Sequence, residues 1–277
     1  MTATSVLSPC APDTTVPPVS DPTPESVLEL FHDVSGAVAG VLTRQTEWGE
    51  SGERPGQYAV DLVADSMCIA PLLAAGLSVL SEESGHQGPP GGPVVVVDPL
   101  DGSTNASRRV PWFATALCLV DRDGPSVSMV ANHATGQRFT AVRGHGAHCD
   151  GHPIGVSGCA HLGDAVIGVS GLPTHHYGWA QFRALGAAAP DLCLVASGAL
   201  DGWCDMSDDA HGVWDYLAAV LICREAGGVA VDLHGRDLSV VEHTARRTPV
   251  VAANHSLVSA LLVERLRSGA TAGVGQS

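Results

Sequence analysis

The sequence contains no lysine: all fourteen of its basic side chains are arginines. That excludes Schiff-base chemistry and the lysine-dependent P-loop together. Phosphate, if this chain handles it, must be met by arginine, backbone amides or metal. Twenty-nine acidic residues leave a net charge of −15, which excludes a broad basic surface for nucleic acid. Such acidity serves solubility, and part of it can form a carboxylate cluster for cations. No run of about eighteen uncharged apolar residues occurs, so no membrane span is expected. The eight cysteines, Cys10, Cys68, Cys118, Cys149, Cys159, Cys193, Cys204 and Cys223, include no C-x-x-C pair, which argues against a zinc site. Most sit in apolar runs and read as buried, reduced thiols of a cytoplasmic protein. The N-terminal stretch lacks a basic region followed by an apolar core, so it does not read as a signal peptide. Its Pro, Ser and Thr content predicts an unstructured tail over residues 1–24.

What is present predicts a globular body, with 45% hydrophobic and 16% charged residues in 277. Val27, Leu30, Phe31, Val34, Val38, Val41 and Leu42 recur at helical spacing and predict an amphipathic helix over 25–45. A polar, glycine-rich loop follows to Gln57. "YAVDLVADSMCIAPLLAAGLSVL" then reads as mostly helical, kinked or restarted at Pro71. From Val94 the character changes. "VVVVDPL", "WFATALCLVD", "PSVSMVANH" and "QRFTAVRG" are short strands separated by turns, the pattern of an antiparallel meander. Beyond residues 145–160 helix and strand alternate. "DAVIGVSG" reads as strand, "GWAQFRALGAAA" as helix and "LCLVASG" as strand. "HGVWDYLAAVLICREAGG" is a strong helix ending at glycine, "VAVDLHG" and "TPVVAAN" are strands, and Asn254 caps a closing helix. Two domains are expected: residues 25–150, α+β with an antiparallel sheet and a metal site, and residues 151–277, α/β.

The stretch "VVVVDPLDGSTN", Val94 to Asn105, carries the chemistry. An apolar strand does not need acids at its exit. Pro99 cannot donate to a sheet ladder, so the strand ends there and the chain turns between Asp98 and Asp101. Both carboxylates and the Leu100 carbonyl can then converge, and hard oxygen donors converging on a point suit Mg²⁺ or Ca²⁺. Two acids this close without a counter-ion repel. Gly102 permits a sharp turn, and Ser103 or Thr104 can cap a short helix whose free amides face an anion. An aspartate turn with an ordinary cap reads the same stretch without any ligand. Glu82 and Glu83 in "LSEESG" and Asp215 at the start of a helix are each explained singly by a solvated face or by the helix dipole.

Together, "SEES", "DPLDGSTN" and "WDYLAAVLICREAGG", in this order, resemble the inositol monophosphatase superfamily of Mg²⁺-dependent, lithium-sensitive phosphomonoesterases. The resemblance covers about Glu25 to Arg267. It implies a layered αβαβα sandwich of the inositol monophosphatase and fructose-1,6-bisphosphatase type, an α+β to α/β architecture. It also implies two or three Mg²⁺ ions, a small-molecule phosphate substrate and a homodimer, with no nucleic acid or membrane as partner.

Carried over by position, the resemblance gives Glu82 to the first metal and to the attacking water. Asp98 bridges metals, Leu100 offers its carbonyl, and Asp101 and Asp215 bind the second metal. Gly102, Ser103 and Thr104 meet the phosphate, and the Ser103 hydroxyl stands where the family has threonine. Asp61 matches the aspartate that bonds that hydroxyl, with Asp65 the alternative register. Ala188 falls where the family contacts the ring or sugar. The family's ring-contacting glutamate matches Asp205 or Asp208, and about three extra residues precede Trp214, so the substrate pocket is altered. The family's mobile-loop lysine has no counterpart. His211, four residues before Asp215, can approach the leaving group, but the reading preferred for it is a surface or capping histidine. Asp201, Asp208 and Asp209 read as solvated loop acids. "DGSTN" leans toward the inositol and fructose-bisphosphate branches, hence a cyclitol or sugar phosphate. A non-catalytic metal-binding module of the same fold is the reading from another class.

Overall fold

The computed structural model describes residues 22–45, 48–53 and 57–272, with side chains to residue 267. The tail expected over 1–24 lies outside these residues up to 21, and Pro24 already belongs to the first helix. That helix, α1 (Pro24–Arg44), begins at Thr23, whose Oγ1 accepts from Ser26 N at 3.3 Å. Pro24 suits a first turn in which its missing N–H has no partner to lose. Helix α2 (Ala59–Ala74) runs through Pro71 in its last turn rather than restarting there. Past it the structure departs from the sequence reading. Gly76 adopts a left-handed backbone at φ 79°, which stops the helix, and Ser78–Ser81 is strand β1.

Eight further elements complete, with α1, α2 and β1, the first half of the molecule: β2 (Gly85–Gln87), β3 (Val94–Asp101), α3 (Ser103–Arg108), β4 (Ala114–Asp121), β5 (Gly124–Asn132), β6 (Arg138–Val142) and the short hairpin β7 (Ala147–Cys149) with β8 (His152–Pro153). The strands make one sheet in the order β2-β1-β3-β4-β5-β6-β7-β8. The meander from β3 onward is antiparallel as expected, but β1 lies parallel to β3, so the sheet is mixed. Strand β3 does not end at Pro99. It continues to Asp101 across a bulge, with Asp98 opposite Ala116 and Asp101 opposite Ala114.

The second half comprises β9 (Val166–Ser170), β10 (Gln181–Arg183), α4 (Ala188–Ala196), β11 (Gly202–Asp205), α5 (Val213–Glu225), β12 (Val229–Asp232), β13 (Pro249–Ala252) and α6 (His255–Ala272). Its sheet runs β10-β9-β11-β13-β12. Two expectations are corrected here. The helix expected across "GWAQFRALGAAA" is instead the exposed edge strand β10, and the strand expected at "LCLVASG" is part of α4. Helix α4 is buried almost all round, so it lacks the polar face that distinguishes a helix from a core strand. Pro190 fits its first turn.

The layers follow from alternation. Val95 and Val97 of β3 pack with Val27, Phe31 and Val34 of α1 and with Cys68 and Leu72 of α2. Val96, pointing to the other face, packs with Leu192 of α4 and Leu217 and Val220 of α5. The run of valines is thus buried on both sides. Helices α4 and α5 touch both sheets, and α6 covers the outer face of the second sheet through Leu257, Val258 and Leu261. The order is helix, sheet, helix, sheet, helix, the layered α+β arrangement that the resemblance implied.

Candidate active site

Three elements end at one place. Glu82 follows directly on β1, its N–H donating to Val97 O of β3 at 3.1 Å. Asp98 shares the face of Val96, toward α5. Asp215 sits in the first turn of α5, where its Oδ2 accepts from Gly212 N at 2.7 Å. Carboxylate oxygens of Glu82, Asp98 and Asp215 lie within 4.8 Å of one another. They line a cavity of about 210 Å³ together with Asp61, Glu83, Leu100, Asp101, Gly102 and Ser103.

The bulge is held from outside. Thr115 donates its hydroxyl to Pro99 O at 2.8 Å, and His133 Nε2 meets the same hydroxyl at 2.8 Å. Asp98 Oδ1 accepts from Leu100 N at 3.0 Å, and Asp101 Oδ2 accepts from Ala189 N of α4 at 2.6 Å. Gly102 caps α3 in a left-handed conformation with φ 84°, so the cap is this glycine and not Ser103 or Thr104. His243 Nε2 donates to Glu82 O at 3.0 Å. Its ring lies 4.8 Å from that of Trp214, the neighbour of Asp215.

The electrostatics test whether cations fit. Asp98 is 1% exposed. Burial holds its pKa well above the ordinary carboxylate range, and Glu82, Asp101 and Asp215 push it further. Asp101 is raised to about 8 by burial and then by Asp215, against the Ala189 amide. Asp215 is raised by burial, opposed by His211, the Gly212 amide and Arg246. Acids gathered without a cation resist ionisation, and a divalent cation removes that penalty. Hard oxygens in this number suit Mg²⁺.

A second cavity, of about 230 Å³, shares Asp101 and Asp215 with the first. Ala188, Asp191, Ser170 and His211 are on its walls. Asp205 is not. It is fully buried behind His211, whose Nδ1 it meets at 2.8 Å, and its Oδ1 accepts from Ser207 N at 2.9 Å. Asp208, the alternative, pairs with Arg265 at 2.8 Å. Asp61 lines the first cavity and accepts from Tyr58 N at 2.8 Å. Asp65 instead accepts from Ser81 at the end of β1. Thr104 is exposed and lines neither cavity. Asp201 is no solvated acid: it ties Ser157 and Val166 N, at 2.5 and 2.7 Å.

Two participants escaped the sequence, and a third, His211, was only partly read. Gln57 donates to Glu83 on the cavity rim. Asp191 accepts from the indoles of Trp112 and Trp203, at 2.6 and 3.3 Å, and burial raises it to about 7 against those bonds. His211 is a buried wall residue. Only its short distance from Asp215 signalled it.

An acid-lined cleft at the joint of these layers belongs to a class, the metal-dependent phosphoric monoester hydrolases. The sequence model of the inositol monophosphatase family matches residues 44–270, and the chain belongs to that family. The inositol-1-monophosphatase of Mesorhizobium japonicum is 34% identical over 229 residues, covering 75% of this chain and 82% of the relative. The fructose-1,6-bisphosphatase/inositol-1-monophosphatase of Methanothermobacter thermautotrophicus is 31% identical over 219 residues, 71% and 78% of the two chains. Nus factor SuhB of Escherichia coli K12 is 31% identical over 201 residues, 67% and 72%. Among solved structures, a Pyrococcus horikoshii protein with similarities to inositol-1 monophosphatase superposes with a TM-score of 0.75 at 25% identity, over 87% of this chain and 96% of that one.

Proposed function

We propose that the protein hydrolyses a small phosphate monoester, an inositol monophosphate or a related cyclitol or sugar phosphate, with Mg²⁺ as cofactor. The observation that carries this is the convergence of Glu82, Asp98 and Asp215 within 4.8 Å beside Gly102 and Ser103. Glu82, Asp98, the Leu100 carbonyl, Asp101 and Asp215 hold the ions, two or three in number. When bound, the ions offset the charge of the ester, acidify water and stabilise the leaving oxygen. Glu82 and the Ser103 hydroxyl orient the water for in-line attack, with Asp61 beside them. The amides of Gly102 and Ser103 hold the phosphate oxygens. Positioning and charge suffice, so no phosphoenzyme is formed. The alcohol half of the ester extends into the second cavity, past Ala188.

The name of the Methanothermobacter relative joins two activities, and fructose 1,6-bisphosphate is therefore the second candidate substrate. We also take the protein to act as a cytoplasmic homodimer on a small molecule. Its net charge of −15 disfavours nucleic acid, and sedimentation checks the dimer.

The test is release of inorganic phosphate from inositol, sugar and bisphosphate esters with and without Mg²⁺. Asp98→Asn is expected to lower kcat by at least about a hundredfold with the fold retained. Mg²⁺ binding without turnover of any ester would leave a non-catalytic homologue. Near-normal turnover by Asp98→Asn would overturn the ligand assignment.

A further inference from the structure

His211 is 9% exposed, yet its ring lies on the wall of the second cavity. Its Nδ1 meets Asp205 Oδ2 at 2.8 Å. A carboxylate only accepts, so Nδ1 carries the proton. No hydrogen bond to Nε2 is found among the described residues, which leaves it as the ring nitrogen that a ligand in this cavity can meet. The ring cannot turn away. Trp203 packs against it edge-on, with centroids 5.5 Å apart at 76°. Its backbone exchanges bonds with Arg247 in both directions, at 3.3 and 2.9 Å. Asp205 is fixed in turn, by Ser207 N at 2.9 Å and by Arg265 Nε, which donates to its carbonyl at 3.0 Å. Two buried layers thus hold one ring nitrogen at a cavity that opens onto the acid cluster.

The chemistry of the cavity narrows the ligand. A neutral imidazole presents Nε2 as an acceptor, and an imidazolium presents it as a donor. A hydroxyl satisfies either form, because it both donates and accepts. The described lining contains no arginine to pair with a second phosphate. The volume of about 230 Å³ falls below the roughly 300–1,000 Å³ of drug-sized ligand sites, so the alcohol half is small. Ser170, also on the wall, offers a second hydroxyl partner.

We infer that His211, held by Asp205, reads the alcohol half of the substrate: Nε2 hydrogen-bonds a hydroxyl beside the ester oxygen, so this side chain sets the preference for a hydroxyl-bearing ester. His211 touches the substrate, while Asp205 is a positioning residue that acts through it. This rests on the phosphatase reading above.

The experiment compares inositol 1-phosphate with cyclohexyl phosphate, which has the ring but no hydroxyl, in the full-length protein with Mg²⁺. The quantity read is the ratio of their kcat/KM values. His211→Ala is expected to lower that ratio about tenfold or more. His211→Gln, which keeps a hydrogen-bonding end, restores part of it. Asp205→Asn raises KM for inositol 1-phosphate more than it lowers kcat. A histidine that only packs against Trp203 lowers both substrates alike and leaves the ratio at its wild-type value, and that result overturns the inference. The wild type supplies a reading that needs no variant. Replacing the hydroxyl beside the ester with hydrogen lowers kcat/KM about tenfold, and an unchanged value again overturns the inference. A wild type that releases phosphate from neither ester overturns the phosphatase reading itself, whereas an active wild type with an unmoved ratio removes only the role of His211.

Discussion

At the residue scale the most constrained position in the site is Gly102. Its φ of 84° is a conformation that side chains rarely adopt, and a Cβ there would lie 2.9 Å from Ala187 Cβ and 3.0 Å from Trp112 O. One of those neighbours is backbone and has little room to yield. Gly102→Ala is expected to cost about 2 kcal/mol of stability or more, since the left-handed backbone alone costs about 1–2. It is also expected to lower kcat about a hundredfold, because Asp101 and Ser103 flank the turn that must shift. Chemical denaturation and phosphate release check the two separately. Asp98, Leu100, Asp101 and Gly102 were legible in the sequence because their spacing is local and a single bulge fixes them, whereas Glu82 and Asp215 were legible only through the family resemblance. His211 was not legible as a cavity wall. Its role depends on Asp205, which lies on a strand that the sequence pattern did not reveal, and on Trp203, which packs from the same strand.

At the scale of elements, what made a segment readable was contrast. Helix α1 shows a polar face and a cap, and β4 to β6 are punctuated by turns, so both stand where expected. Helix α4, buried at all but one position, and strands β1 and β11, buried throughout, carry no such contrast; only packing between the sheets decides their form. Strand β12 shows how an element end is secured by charge. Asp232 closes it with a side chain that has 0% exposure and faces Arg236 Nε at 2.8 Å. It also accepts from Thr248 N at 2.9 Å and His234 N at 3.0 Å. Burial alone would raise its pKa, but Arg236 and these amides outweigh it and hold the carboxyl at about 2. The folded-state value is depressed below the unfolded one of about 3.9. The stabilisation is therefore complete above about pH 4 and is lost as pH falls through about 2. It amounts to something on the order of 2 kcal/mol. Asp232→Asn is expected to lower stability at neutral pH by that order and to flatten the decline between pH 4 and 2. Urea midpoints measured across that range check both. A variant with the wild-type acid slope would show that the Arg236 pairing carries no net stability.

At the scale of the whole molecule, the site is where the layers meet. The end of β1 brings Glu82, the bulge in β3 brings Asp98 and Asp101, and the start of α5 brings Asp215. Helix α5 is held between both sheets, so these carboxylates cannot separate to relieve their repulsion without disturbing the central core. A cation that binds here must therefore stabilise the folded chain as a whole. Ligand at a hundred times its Kd adds about 2.7 kcal/mol to the folded state when the unfolded chain does not bind it. For a chain of this size that corresponds to a rise of roughly 5–10 °C in Tm. Saturating Mg²⁺ is expected to produce such a rise, and EDTA to reverse it. Asp98→Asn is expected to lose most of the Mg²⁺-dependent rise, because it removes a ligand from the middle of the cluster. Asp232→Asn, remote from the cluster, keeps the rise even though its Tm starts lower. Differential scanning fluorimetry without substrate separates the metal site from turnover. A Mg²⁺ response that survived intact in Asp98→Asn would move the cation away from the junction of the two sheets.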